Sequence, residues 1–479
     1  MKRRQIAGVF LILLLSACGT GGTDGPEKTG GTDAEQGRTH REAVRSDFDG
    51  DGYGDLVVGD GSGTVNGTDS AGYAVVLRGS SQGPALKGSQ VVTQDGLGLG
   101  KAGQVGGFGS DGRSVTADLD GDGRADFVSQ AGTNTVFVVW GSAEGLSGAA
   151  RLAGSAPVAG DFDGDGQDDL VITGTEENSA RVLLGPFSRA GAPRRTVSLD
   201  LTPSDPENPV ARPSTAGDVT GDGKDDLLVT WSHIYADEAP VPRATLVYRG
   251  AADGKLVKGP RLKDDQGKDF YGETLRTGDL NKDGFADVVA GLTCESMGEP
   301  VLPDGGSRVA VLYGGPSGQS EKLKPLRITE KTAGLPVQGP FSYCTFGSGV
   351  TVGDVHGDGY ADVAFSVTTG PGDASDPDDV VTTVVLLRGS ADGLTVEKAQ
   401  AVPGSPGGML DTNGDRAAEL LVVVGGTGYA VEDPQKPEVQ VLRGGSGGVE
   451  LAPMLVVKEA DLDLGPEIES KRSNTFGVV

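Results

Sequence analysis

Short apolar runs punctuate this chain, each just after a cluster of aspartates. Leu56-Val-Val58, Leu170-Val-Ile172, Leu227-Leu-Val229 and Leu420-Leu-Val-Val423 are apolar at every position. A strand with one wet face alternates polar and apolar residues, so an unbroken run reads as a strand buried on both faces. A second kind of run ends in a glycine turn. The seven copies are Val-Val-Leu77-Arg-Gly79, Val-Val-Trp140-Gly141, Val-Leu-Leu184-Gly185, Val-Tyr248-Arg-Gly250, Leu-Tyr313-Gly314, Leu-Leu387-Arg-Gly389 and Val-Leu442-Arg-Gly444. Each turn follows the first aspartate of its cluster by 23 to 35 residues, so the two signals are in phase. The unit reads strand, aspartate hairpin, strand, loop, strand, glycine turn, strand.

Four short antiparallel strands with both faces covered describe a propeller blade stacked between neighbours. The prediction is an all-β chain, a seven-bladed β-propeller of four-stranded antiparallel blades over residues 43–479. A blade cannot hide its faces alone, so the repeats must close as one domain. First-aspartate spacings of 71, 43, 57, 61, 75 and 57 residues put the variation in loops. The longest inserts, Asp200–Pro213, Trp231–Pro242, Cys294–Gly306 and Gly370–Asp379, are where a rigid scaffold would carry function. Only a stub, Glu42–Ser46, precedes the first cluster, while a strand over Pro453–Val457 and then Thr475-Phe476-Gly477-Val-Val479 follow the last turn. That tail resembles the start of another unit. It is expected to pair with first-blade strands and lock the ring.

The clusters follow the pattern D-x-D-x-D-G-x-x-D. Carboxylates at positions 1, 3 and 5 converge if the backbone curls, glycine at 6 permits the curl, the carbonyl of 7 adds an oxygen and the acid at 9 closes the shell. An all-oxygen, carboxylate-rich shell suits Ca²⁺. Three loops are complete: Asp47, Asp49, Asp51, Asp55; Asp118, Asp120, Asp122, Asp126; and Asp161, Asp163, Asp165, Asp169. The fourth has Asp218, Thr220, Asp222 and Asp226, and the fifth Asp279, Asn281, Asp283 and Asp287. The sixth keeps Asp354, Asp358 and Asp362 but has His356 at position 3. The seventh has Asp411, Asn413, Asp415 and Glu419, with Arg416 in place of glycine. Five tight calcium sites and two weak ones are expected. An EF-hand needs an acid at position 12. Here that position is Val58, Ser129, Ile172, Val229, Ala290, Phe365 and Val422, among strand formers.

With the seven loops and the pairs Phe108-Gly109, Tyr271-Gly272 and Phe346-Gly347, residues Ala43 to Val479 resemble the FG-GAP/VCBS repeat family of integrin α-subunit propellers and bacterial surface proteins. The resemblance implies a seven-bladed propeller with calcium in inter-strand loops, acting in adhesion or ligand binding. The Gly-Ala-Pro element is missing; Val-Gly-Asp60 and Ala-Gly291-Leu stand in its place. Integrin recognition also uses a second subunit, so no ligand carries over. A monomer with an extracellular protein or glycan partner is expected.

The net charge of −27 argues against nucleic acid, which needs a basic surface. Five per cent aromatics and 81 glycines suit many short strands and tight turns around a thin aliphatic core. At the N-terminus, Lys2-Arg-Arg4 and the apolar Ile6–Leu15 precede Leu15-Ser-Ala-Cys18, which resembles a bacterial lipoprotein cleavage box. Residues 1–18 are thus expected to be a signal peptide with Cys18 lipidated, and 19–42 a flexible tether. The protein would be extracytoplasmic, anchored to the outer face of the bacterial cell membrane; an ordinary secretory signal is the other reading. An oxidising compartment favours a disulfide between Cys294 and Cys344, with two separate thiols as the alternative.

Catalytic signatures are missing: no CxxC, HExxH or Gly-Lys-Ser/Thr motif occurs. Gly444-Gly-Ser446-Gly-Gly448 fits a nucleophile elbow on paper but stands where the other units have a hairpin turn. His40 lies in the tether and His356 in a loop, which leaves His233 as the one free imidazole. Asn66-Gly-Thr68 matches a glycosylation sequon but reads better as an Asn-Gly hairpin turn. A non-enzyme is therefore expected, with a lectin or calcium-dependent polysaccharide lyase as the alternative.

Overall fold

The computed structural model describes residues 46–100, 107–109, 114–203, 210–232, 243–272, 274–293, 306–337, 339, 346–370, 381–425, 436–469 and 476–479. Cys18, the tether, His233, Cys294 and Cys344 lie outside these residues. Among the described residues the chain forms seven four-stranded antiparallel sheets, a small two-stranded one and a single short 3-10 turn. The sheets are the blades of one propeller. From inner to outer strand, blade 2 runs Ser114–Ala117, Asp126–Ala131, Thr135–Val139 and Ala149–Ala153. Blade 3 runs Ser155–Gly160, Asp169–Thr173, Ser179–Leu184 and Arg195–Asp200; blade 4 runs Val210–Gly217, Asp226–Ser232, Ala244–Arg249 and Val257–Arg261. Blade 5 comprises Thr274–Gly278, Asp287–Leu292, Arg308–Leu312 and Leu326–Ile328. Blade 6 comprises Ser348–Gly353, Asp362–Thr369, Val381–Arg388 and Thr395–Pro403. Blade 7 comprises Ser405–Leu410, Glu419–Val424, Glu438–Leu442 and Leu455–Lys458. That last strand starts two residues later than the sequence suggested: Pro453, which has no N–H, stays outside it.

Blade 1 is composite. Leu56–Asp60, Tyr73–Leu77 and Gln90–Val92 receive their inner strand, Gly477–Val478, from the C-terminus. Val58 pairs with Val478 and Gly59 with Gly477. The tail therefore closes the ring as its likeness to a unit start implied, and Phe476-Gly477 is the aromatic-glycine pair of blade 1. The Asn66-Gly67 hairpin is also present. Both residues have positive φ, 49° and 72°, as a type I′ turn requires, and Val65 and Thr68 exchange backbone hydrogen bonds.

The unbroken apolar runs are the second strands, and they are buried on both faces because each blade is sandwiched between two others. The seven apolar clusters map one to each seam. Val171 and Val182 of blade 3 pack with Leu227, Val229 and Trp231 of blade 4, and Leu421 and Val441 of blade 7 pack with Val58 and Val75 of blade 1. A central channel of about 1880 Å³ runs between the inner strands, lined by residues such as Thr116, Ala159, Thr215, Thr277 and Thr351. Antiparallel order sets the two faces. Inner-to-second loops and third-to-outer turns share one face, so the aspartate loops and glycine turns lie together. The strand ends from which all four long inserts depart lie on the opposite face.

The glycine turns are obligatory for a steric reason. A Cβ on Gly250 would stand 2.5 Å from the Asp225 carbonyl oxygen and 2.6 Å from that of Phe162 in the preceding blade. Gly79, Gly141, Gly314, Gly389 and Gly444 face the equivalent pair of backbone oxygens at 2.2 to 3.0 Å, and Gly185 faces the Asp168 carbonyl oxygen at 2.4 Å. Gly250→Ala must push two backbones apart and should destabilise the fold by about 1–3 kcal/mol. Chemical denaturation would check this, and an unchanged midpoint would remove the steric argument.

Candidate metal centres at the blade seams

Each aspartate loop is organised by its first carboxylate. Asp47 Oδ1 accepts the backbone N–H groups of Gly50 (2.7 Å) and Asp51 (3.1 Å), and Oδ2 accepts that of Gly52 (2.8 Å). Asp118 and Asp161 repeat the pattern. The curl needs left-handed backbone at position 6, as expected, and also at position 4. Position 4 is glycine in six loops and Lys282, at φ 57°, in the fifth. The seventh loop keeps the curl without its glycine: Arg416 adopts φ 75° and still donates its N–H to Asp411 Oδ2 at 2.9 Å.

The acid at position 9 has a second role. Asp55 Oδ2 accepts the Phe48 N–H at 3.0 Å, and Oδ1 accepts the N–H of the turn glycine Gly79 at 2.9 Å. The bond to the turn glycine recurs at Asp126, Asp169, Asp226, Asp287 and Asp362, at 2.9 to 3.1 Å. It is why loop and turn are in phase along the sequence. The carboxylate pins the two elements together from below, while its remaining lone pairs stay available to a cation.

Three loops gather carboxylates closely enough to share one ion. One oxygen from each of Asp47, Asp49 and Asp55 lies within 4.8 Å of the others, as for Asp118, Asp120 and Asp122, and for Asp161, Asp163 and Asp169. These are the three loops that the sequence marks as complete. Two position-3 atoms are buried and make no hydrogen bond of good geometry: Asp163 Oδ1 in loop 3, beside the Asp165 N–H, and Thr220 Oγ1 in loop 4, beside Asp226. Asp163 is 9% exposed and Thr220 6%. A buried oxygen left unpaired costs about 1–3 kcal/mol, so both positions fit a cation as the missing partner. Loops 6 and 7 satisfy themselves. His356 Nδ1 lies 2.7 Å from Asp362 Oδ2, and Arg388 pairs with Asp358 at 2.5 Å. In loop 7 Asn413 Nδ2 donates to Glu419 Oε1 at 2.7 Å. In loop 5 Asn281 accepts the Asp283 N–H through Oδ1 at 3.0 Å and donates to its carboxylate at 3.1 Å.

The same loops join the blades. At six seams the N–H of position 8 donates to the position-1 carbonyl of the preceding loop at 2.7 to 3.1 Å, including Gly54 to Asp411 across the closure. In five blades the residue after the turn glycine donates to the position-2 carbonyl of the preceding loop, as Ser142 does to Phe48 at 3.0 Å. In blade 3 that residue is Pro186, without an N–H, and Phe187 donates to Leu119 instead at 2.7 Å. Position 2 is a fully buried plug: Phe48, Leu119, Phe162, Val219, Leu280, Val355 and Thr412.

Residues 118–172 match the family description FG-GAP-like repeat. This segment is similar to an FG-GAP-like repeat. It runs from the first aspartate of loop 2 to the buried second strand after loop 3. No curated protein matches the chain. Among solved structures, an Agrocybe aegerita lectin that recognises non-reducing terminal N-acetylglucosamine aligns over 86% of this chain and 93% of its own, at 14% identity and TM-score 0.45. An α-L-arabinofuranosidase from Lactobacillus brevis aligns over 62% and 93%, at 10% identity and TM-score 0.36.

Burial makes the aspartate loops electrostatically tense. Desolvation pushes Asp55, Asp169 and Asp287 up to about 7, Asp126 to about 8 and Asp226 to about 6, despite hydrogen bonds from backbone N–H groups. Desolvation also raises Asp118, Asp279 and Asp354 at position 1. Arginines offset some of this charge from outside. Arg189 reaches from blade 3 to Asp120 and Asp122 of loop 2, at 2.8 Å each, and Arg194 lies 2.8 Å from both Asp163 and Asp165. Both guanidinium groups are half exposed, so they are weak counter-charges. Sequence reading missed these arginines. It also missed Gln90 and Gln400, whose side-chain amides accept and donate against the backbone of Leu146 and Val449 in the next blade. Nothing in a single sequence separates such a glutamine from a surface one.

Proposed function

We propose that this protein is a calcium-braced, non-enzymatic binding propeller held at the outer face of a bacterial membrane. The observation that carries the calcium reading is the gathering of three carboxylates within 4.8 Å in each of loops 1 to 3, with buried position-3 oxygens, Asp163 Oδ1 and Thr220 Oγ1, that make no hydrogen bond of good geometry. The donor sets are entirely oxygen, from carboxylate, hydroxyl, amide and backbone carbonyl, which is the chemistry of a hard cation with flexible, high coordination. Calcium supplies the positive charge that lets clustered buried carboxylates ionise together. Loops 1 to 5 hold it; His356 and Arg388 in loop 6, and Asn413 with Arg416 in loop 7, leave those two weak.

With the aspartate face committed to bracing, ligand binding falls to the opposite face, from which the long inserts depart. The partner is an extracellular protein or glycan, bound by a monomer. Lipidation of Cys18 tethers the propeller through residues 19–42, and a Cys294–Cys344 disulfide adds a covalent link between blades 5 and 6.

A calorimetric titration of the metal-free protein should give five calcium sites; two or fewer would overturn the calcium reading. Replacing residues 233–242 with a short Gly-Ser linker should abolish retention on partner-bearing envelope extract while the calcium stoichiometry and melting temperature stay unchanged. Retention equal to the parent would eliminate that rim segment as the binding element.

A further inference from the structure

Position 8 of the aspartate loops is Gly54, Ala125, Ala286, Ala361 or Ala418 in five copies, and an acid only in loops 3 and 4, as Asp168 and Asp225. Both acids reach back across a seam. Asp168 Oδ2 accepts the backbone N–H of Asp118, the first residue of loop 2, at 2.9 Å. Asp225 Oδ2 accepts the N–H of Asp161, the first residue of loop 3, at 2.9 Å, and its own N–H donates to the Asp161 carbonyl at 2.8 Å. In both cases a carboxylate of one loop holds the backbone of the residue that organises the loop before it. Asp168 also adjoins Asp169, and Asp225 adjoins Asp226, so each belongs to the ligand-bearing segment of its own loop.

We propose that Asp168 and Asp225 are positioning residues that couple cation binding in loops 2, 3 and 4 into one cooperative stretch, a proposal that rests on the metal reading above. A cation in loop 3 fixes the backbone of residues 161–169 and with it the Asp168 carboxylate. That carboxylate then holds Asp118 in place for loop 2 and adds negative potential there. Loop 4 acts on loop 3 in the same way through Asp225. Coupling of this kind is reciprocal, and partners beyond the direct ligands commonly change metal affinity by about 10–100-fold. Loops 1, 5, 6 and 7, which have no acid at position 8, do not act on their predecessors in this way.

The chain carries its own probe of loop 2. Trp140 immediately precedes Gly141, whose N–H bonds to Asp126 at 2.9 Å, and its indole Nε1 donates to the Arg189 carbonyl at 2.9 Å. The second tryptophan, Trp231, pairs with Ala244 at the end of its strand remote from loop 4. Terbium, standing in for calcium and excited through tryptophan, therefore reports loop 2. In the full-length protein, Asp168→Ala should raise the half-saturating terbium concentration about tenfold, and Asp168→Asn, which keeps an acceptor oxygen, about threefold. Asp163→Ala, which cripples loop 3, should weaken the same signal several-fold when Asp168 is present and leave it unmoved in the Asp168→Ala background. No tryptophan-sensitised emission from the parent protein would overturn the metal reading at loop 2 and the coupling with it. A parent that titrates normally, with Asp168 variants that match it or an Asp163→Ala effect equal in both backgrounds, would overturn the coupling alone. If Asp168→Ala fails to fold, the Asn variant decides by the same comparison.

Discussion

Stripping calcium from this protein at pH 7.5 should lower its melting temperature by about 10 °C, and the loss should shrink at pH 5. Asp55, Asp126, Asp169, Asp226 and Asp287 are pushed up to between about 6 and 8 in the fold, against an ordinary 3.8 in the unfolded chain. Between pH 4 and 8 the metal-free fold therefore binds more protons than the unfolded chain. Its stability must fall as pH rises through that window. Each unit of upward shift corresponds to about 1.4 kcal/mol of penalty on the ionised fold. Two or three of these five carboxylates ionising together amount to about 10 kcal/mol, and for a domain of this size that is about 10 °C. The calcium-loaded protein should show the opposite slope, because protons then compete with the cation. Calorimetric scans of chelator-dialysed and calcium-saturated protein at the two pH values would check both signs. Superimposed melts at pH 7.5, or a metal-free protein that gains stability from pH 5 to 7.5, would sink the account.

The buried strands and the aspartate loops differ in how far they can be read from sequence. Leu170-Val-Ile172 and the three runs like it are legible because burial on both faces removes the alternation that a one-sided strand would need. Val-Tyr248-Arg-Gly250 and its counterparts are legible as turns, and their number gives the blades. One step of the grading is visible in residue type: the three loops with acids at positions 1, 3, 5 and 9 are those in which three carboxylates gather within 4.8 Å. Position 4 was open to reading too, since six glycines stand there. Position 6 already explained the curl, so the second left-handed residue went unseen.

The seam chemistry was not legible, and the reason is sequence separation. Gly54 donates to Asp411 and Ser80 to Thr412, groups more than 300 residues apart joined only by ring closure. Asp55 reads as a metal ligand at position 9. Its bond to Gly79 depends on a turn 24 residues away whose glycine is needed for steric reasons that only the packed seam reveals. Asp168 and Asp225 read as ordinary acids in an acidic loop until the neighbouring blade is placed beside them.

The closure gives the second large effect. Deleting Phe476–Val479 should lower the melting temperature by about 5–10 °C without abolishing cooperative unfolding. Phe476 is 2% exposed, and Val478 packs in the cluster shared by blades 1 and 7 with Val58 and Leu421. Removing a buried Phe costs about 3–5 kcal/mol and a buried Val about 1.5–3 kcal/mol. The deletion also strips Val57 of the hydrogen bond from the Val479 N–H at 3.2 Å and exposes one edge of the Leu56–Asp60 strand. The loss stays short of collapse because the seam is clasped elsewhere. Thr64 and Val65 pair with Glu469 and Ile468, Asn66 donates its N–H to the Glu467 carbonyl at 2.7 Å, and the buried Tyr73 hydroxyl donates to Glu459 at 2.7 Å. Two aspartate-loop bonds, Gly54 to Asp411 and Ser80 to Thr412, cross the same seam. The deletion should therefore cost more in metal-free protein, where loop 1 is tense, than in calcium-saturated protein. Thermal melts of the deletion and of Phe476→Ala in both states would measure this. An unchanged melting temperature for the deletion would show that the terminal strand is not what locks the ring, and an equal loss in the two states would show that loop and strand do not share the work of closure.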